Sequence, residues 1–141
     1  MHNFSYASQP SRRGQALLEF ALGVTVLLLL IGGIIDIARI YFTYQVVSDA
    51  AREGAIFASM DGGANEAIKE RAVASTHTLP LEEDDVRIDY TGGTCANNSN
   101  EVSVEVSYTL PLRMPLTAAL LGSTIEVHAT ESALILAPPC P

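Results

Sequence analysis

Basic side chains are scarce in this sequence. Eight Lys and Arg stand against sixteen Asp and Glu, a formal net charge of −8, and that sign excludes a strongly basic nucleic-acid binder. Tryptophan is missing, and aromatic residues amount to only 6%. Metal-ligand spacing is missing as well. His2, His77 and His128 are scattered, and Cys95 and Cys140 are the only cysteines, so no zinc-type pattern can be drawn through them. No serine sits in a nucleophile elbow. At 141 residues the chain has room for one small domain and none for a separate cofactor domain. An apolar fraction of 48% excludes a disordered chain. No catalytic residues, cofactor, metal or small-molecule substrate are therefore expected.

What the sequence does contain is one long stretch almost free of charge. Between Phe20 and Ile35, a run that includes Leu27 and Leu30, no side chain is charged and only Thr25 is polar. Counted from Ala16, the helix spans about 30 Å by Ile35, the thickness of the hydrocarbon layer of a membrane. A cleaved secretory signal would end in a small-x-small site, whereas this run passes into DIARIYFTYQVV, so a retained span is expected. Arg12 and Arg13 stand just before it. From Asp36 onward there are 6 Lys and Arg against 15 Asp and Glu. The short amino end is thus expected in the cytoplasm and the long acidic remainder outside. Asp36 and Arg39, three apart on one helix face, can pair at the outer interface, and Gly32-Gly33 is a place where the helix can bend or unwind.

Glu19 is the anomaly of the run. A carboxylate in a membrane helix costs about 2.5–3.5 kcal/mol near the centre and less near an end. Either it lies shallow and reaches the headgroups, or it has a partner. The residues before it, RRGQALLEF, resemble the processing site of type IV prepilins. That resemblance implies cleavage between Gly14 and Gln15 by a membrane-embedded prepilin peptidase on the cytoplasmic side. Glu19 would become the fifth residue of the mature chain and would offer a countercharge to the new amino group on Gln15 of a neighbouring subunit. Two charges costly alone are tolerable as a pair, and the pairing can set the register of packed helices.

More of the sequence narrows the likeness. GQALLEFAL, the apolar run, IIDIARIYFTYQ and DAAREGA occur in order between Arg13 and Ser59, and together they resemble the TadE-like family of pseudopilins from tight-adherence (Flp-type) pilus systems. The resemblance implies a membrane protein whose N-terminal helix packs against other pilin or pseudopilin subunits.

Beyond the membrane the helix should continue to about Met60, with Phe42, Val46, Ala50 and Phe57, and Val47, Ala51, Gly54 and Ala58 beside them, on its apolar stripe. Asp61-Gly62-Gly63 is a stop signal. Asn65 is a candidate cap for a second helix to about Thr76. The acidic run Glu82–Asp85 reads as a solvated introduction to a strand over Val86–Tyr90. Val102, Val104, Val106 and Tyr108 alternate with Glu101, Ser103, Glu105 and Ser107 in a second strand, broken by Pro111 and Pro115. A short helix from Pro115 to Leu121 is closed by Gly122, and Ile125, Val127 and Ala129 mark a third strand. Residues 91–100 form a polar hairpin loop.

The expected architecture is α+β, a long transmembrane helix extending into a small pilin-like head with a three-stranded antiparallel sheet. Three parts are expected: a leader over 1–14, the helix over 15–60 and a head over 61–141. A disulfide between Cys95 and Cys140 would tie the hairpin loop to the tail; two unpaired thiols and pairing between molecules are the alternatives. The expected role is that of a pseudopilin or minor pilin in pilus assembly, held in the cell membrane with its head outside. The rival expectation is an uncleaved, membrane-anchored extracytoplasmic binding module.

Overall fold

A computed structural model describes residues 12–61, 64–95 and 99–136. Its first helix, α1 (Arg12–Asp61), has 50 residues and is about 75 Å long at 1.5 Å per residue. It runs through Gly32 and Gly33 without unwinding. The two halves of α1 differ in what surrounds them. From Gly14 to Ile31 every residue is exposed, and the helix is long and apolar enough to cross a membrane. From Thr43 onward one stripe is buried: Thr43, Val47, Ala50, Gly54 and Ala58, with Ala51 and Ala55 beside it. The spacing of three and four is that of a helix face turned to a core.

The core of the remaining described chain is built on that stripe. After α1 come α2 (Asn65–Ala74), a 3₁₀ turn at Glu83–Asp85, strands β1 (Val86–Thr91) and β2 (Glu101–Pro111), the short helix α3 (Pro115–Leu121) and β3 (Thr124–Leu134). The sheet order is β1-β2-β3, antiparallel throughout, with Val86 opposite Val106 and Val102 opposite Ala133. Alternation decides which face is wet. Val102, Val104 and Val106 are fully buried against α1, while on β3 Val127 and Ala129 turn inward and Glu126, His128 and Thr130 face solvent. Burying side chains such as Val47, Ile68 and Val104 contributes about 1.5–3 kcal/mol each. The class is α+β, as the sequence pattern predicts.

Small residues set the closeness of the packing. A Cβ on Gly54 would lie 3.2 Å from both the Ala72 Cβ of α2 and the Val104 Cγ1 of β2. Three elements therefore meet there at backbone distance. Arg71 on α2 donates through Nε to Glu53 on α1 at 2.8 Å, an exposed pair that adds little stability. The end of the described chain is also tied in: the Ile135 amide donates to the Asn100 carbonyl at 3.1 Å, and the Leu136 amide to the Ser59 carbonyl at 2.7 Å.

Several local expectations change. Phe42 is exposed, because the buried line along α1 passes through Asp36 and Thr43 one residue over. Asn65 is the first residue of α2 and not its cap. Ala64 holds that position, its carbonyl accepting from the Ala67 amide at 3.0 Å, and α2 ends at Ala74. Asn65 Oδ1 instead accepts from the Tyr90 hydroxyl at 3.3 Å, and partial burial pushes the Tyr90 phenol above its ordinary pKa. Pro111 does not interrupt β2 but closes it, paired with Thr124 at the strand end, where a missing N–H is tolerated.

Candidate functional site

Gly14, Gln15 and Glu19 lie in the first turns of α1, all exposed. A Cβ on Gly14 would meet nothing within 4 Å. Gln15 and Glu19 are four residues apart and so share one helix face. Among the described residues Glu19 forms no ion pair. The apolar surface around them is equally uncovered by the described residues: Phe20 is 71% exposed, Leu27 and Leu30 are each 55% exposed, and Ile35 is 47% exposed. Such a surface is unstable in water and needs lipid or other helices.

At the other end of the apolar stretch the chain closes on itself. Asp36 is fully buried. Its Oδ2 accepts from the Met114 amide at 3.0 Å and from the Thr117 hydroxyl, and its Oδ1 faces Arg39 Nη1 at 3.4 Å. Arg39 also reaches the Pro111 carbonyl at 3.5 Å. The sequence pairs Asp36 with Arg39 by spacing alone. The structure puts them within reach of each other, and adds that the carboxylate anchors the start of α3 through the Met114 amide and the Thr117 hydroxyl.

Glycine makes room for this contact. A Cβ on Gly32 would lie 3.1 Å from Met114 Sδ, and one on Gly33 would lie 4.0 Å from Thr117 Cγ2. Gly32-Gly33 thus serves as a seat for α3. Below it an apolar cleft of about 210 Å³ opens between Thr25, Leu28 and Leu29 on α1 and Pro115 and Leu116 on α3.

Met114 and Thr117 were not singled out by sequence reasoning. The available signal was an acid directly after an apolar run, which needs a partner, and a Pro-x-Thr helix start that exposes unpaired amides.

The remaining candidates do not converge. His77 and His128 are exposed and far apart in sequence, and His2 lies outside the described residues. Glu82–Asp85 folds on itself, the Glu82 amide donating to Asp85 Oδ2 at 2.9 Å. Among the described residues no group of His, Cys, Asp and Glu is arranged to hold a metal ion. Cys95 is on the loop between β1 and β2 and is not a free thiol. Its expected partner Cys140 lies outside the described residues.

An exposed apolar helix that carries a small α+β head on its C-terminal half defines a class of single-span, membrane-anchored protein. Residues 14–55 match the family model described as TadE-like protein, the family that the sequence resembles. The match lies wholly within α1 and covers under a third of the chain. No curated protein and no solved structure matches the chain.

Proposed function

We propose that this protein is a TadE-like pseudopilin, a minor subunit or assembly factor of a tight-adherence pilus, processed by a prepilin peptidase after Gly14. The family match carries the reading. It begins at Gly14, the glycine of the processing motif, and continues along the helix to residue 55. In this reading residues 1–14 are the leader, 15–60 the packing helix and 61–141 the head. Arg12 and Arg13 keep the amino end in the cytoplasm. Phe20, Leu27, Leu30 and Ile35 pack against helices of other pilins. The role is structural, and the chemistry done on the chain belongs to the peptidase.

Glu19 has a defined task in this assembly. Cleavage gives Gln15 a charged amine at the membrane, and Glu19 of an adjacent subunit neutralises it. The exposed position of both residues on one face supports this arrangement.

Two measurements test the proposal. Intact mass after co-expression with the peptidase should correspond to a chain starting at Gln15, with or without N-methylation. Glu19→Gln should still be cut, but its entry into pili should fall roughly tenfold or more, since the buried amine loses its countercharge. A chain recovered at full length with Met1 present overturns the reading in favour of an uncleaved anchored module, and a Glu19→Gln variant that enters pili normally overturns the countercharge role of Glu19.

A further inference from the structure

We propose that α3 is a membrane-contacting element. It lies in the lipid leaflet on the head side, with its exposed leucines among the acyl chains. The inference rests on the reading of α1 as a membrane span and does not depend on pilus assembly.

Depth along α1 is the first argument. Counted from Ala16, about 30 Å of helix, the full hydrocarbon thickness, ends near Ile35. The head does not begin above that level. Met114 sits on Gly32, Thr117 on Gly33 and Asp36, and Leu116 faces Leu28 and Leu29 across the apolar cleft. With Arg12 and Arg13 at one surface, α3 is therefore at or below the opposite one. Its outward face fits that level: Leu120 is 74% exposed and Leu121 is 56% exposed.

The second argument is the treatment of polar groups. Backbone and side-chain polar atoms at this depth need partners inside the protein. The Asp36 carboxylate takes the Met114 amide and the Thr117 hydroxyl, and the Gly122 amide donates to the Ala118 carbonyl at 3.1 Å. Among the described residues no buried side-chain polar atom lacks a partner. The carboxylate itself is fully buried, facing Arg39 and shielded from lipid.

Charge is the third argument. Residues 108–125 contain no Asp or Glu, although the chain beyond Asp36 is strongly acidic. The single charge in that stretch is Arg113, which is exposed, and Arg39 is nearby. A cation above an apolar segment suits the phosphate level of a bilayer.

The natural absence of tryptophan makes a clean test possible. The full chain carrying Leu120→Trp, and separately Leu121→Trp, is reconstituted into phosphatidylcholine–phosphatidylglycerol vesicles with or without bromine on the acyl chains. Leu27→Trp reports on the span, and Thr130→Trp, on the exposed face of β3, reports on the head. Both α3 variants should lose emission roughly twofold or more in brominated vesicles, as expected for rings seated at the acyl boundary, and should resist acrylamide. Thr130→Trp should show the reverse. Acrylamide quenching of both α3 variants without bromine quenching overturns the inference, as does shielding from both quenchers, which would place a second copy over α3. If Leu27→Trp also escapes bromine, the span reading itself falls.

Discussion

Asp36 carries more of the structure than its place at the end of an apolar run suggests. One carboxylate joins α1 to residues 78 and 81 positions later, Met114 and Thr117. Removing it leaves the half-buried Met114 amide without its charged acceptor, at a cost of about 1–3 kcal/mol. Asp36→Ala should therefore raise hydrogen exchange at the α3 amides in the detergent-solubilised chain while β2 and β3 exchange as before. Arg39 is about one-third exposed and 3.4 Å from its partner. Arg39→Ala should cost under about 1 kcal/mol by the same measurement. An equal effect from both variants would refute the anchoring role of Asp36. The pairing of Asp36 with Arg39 was legible from a spacing of three. The contact with α3 was not, because nothing local encodes which distant amide a carboxylate will find.

Elements follow the same division between near and far. The alternation of Val102, Val104 and Val106 with Glu101, Ser103 and Glu105 identifies β2 and its inner face from sequence alone, since period two leaves few other choices. The α1 stripe was readable for its alanines and misread at Phe42. A bulky apolar side chain there takes the exposed side, while Thr43 is buried. Asn65 misled for a related reason: its chemistry suits a cap, yet Ala64 holds the extended residue before the helix, and a cap is defined by backbone conformation as much as by side chain.

Gly54 shows how tightly the elements are fitted. Gly54→Val would drive methyl groups into Ala72 and Val104 and should lower stability by about 1–3 kcal/mol. Thermal unfolding of the solubilised chain would show it as a lower midpoint. Gly23→Ala is the matched control on the same helix: a Cβ there meets nothing within 4 Å, so no steric loss is expected. A Gly54→Val protein as stable as the parent would mean that α2 and β2 do not both press on α1 there.

For the molecule as a whole, the question is how a small head stays closed around half of a very long helix. Among the described residues its sheet has three strands, and the core is built largely from valine and alanine. A bridge between Cys95 and Cys140 would constrain a large loop and add about 4 kcal/mol on the chain-entropy account. The oxidised full chain should resist thiol alkylation until reduced, and reduction should lower its unfolding temperature. Alkylation of both cysteines in protein isolated without reductant would refute the bridge.

The sequence by itself determined the features that repeat over a few residues: the apolar span, the helical stripe, the alternating strands and the Pro-to-Gly limits of α3. Each is written in neighbouring side chains whose backbone period is fixed. Only the tertiary structure decided that α3 returns to Gly32, Gly33 and Asp36, that the glycine pair is a seat, and that Gly54 is where α2 and β2 meet α1. Those facts depend on which surfaces fit at van der Waals distance after the chain has folded back over some eighty residues, and packing of that kind leaves no period in the sequence.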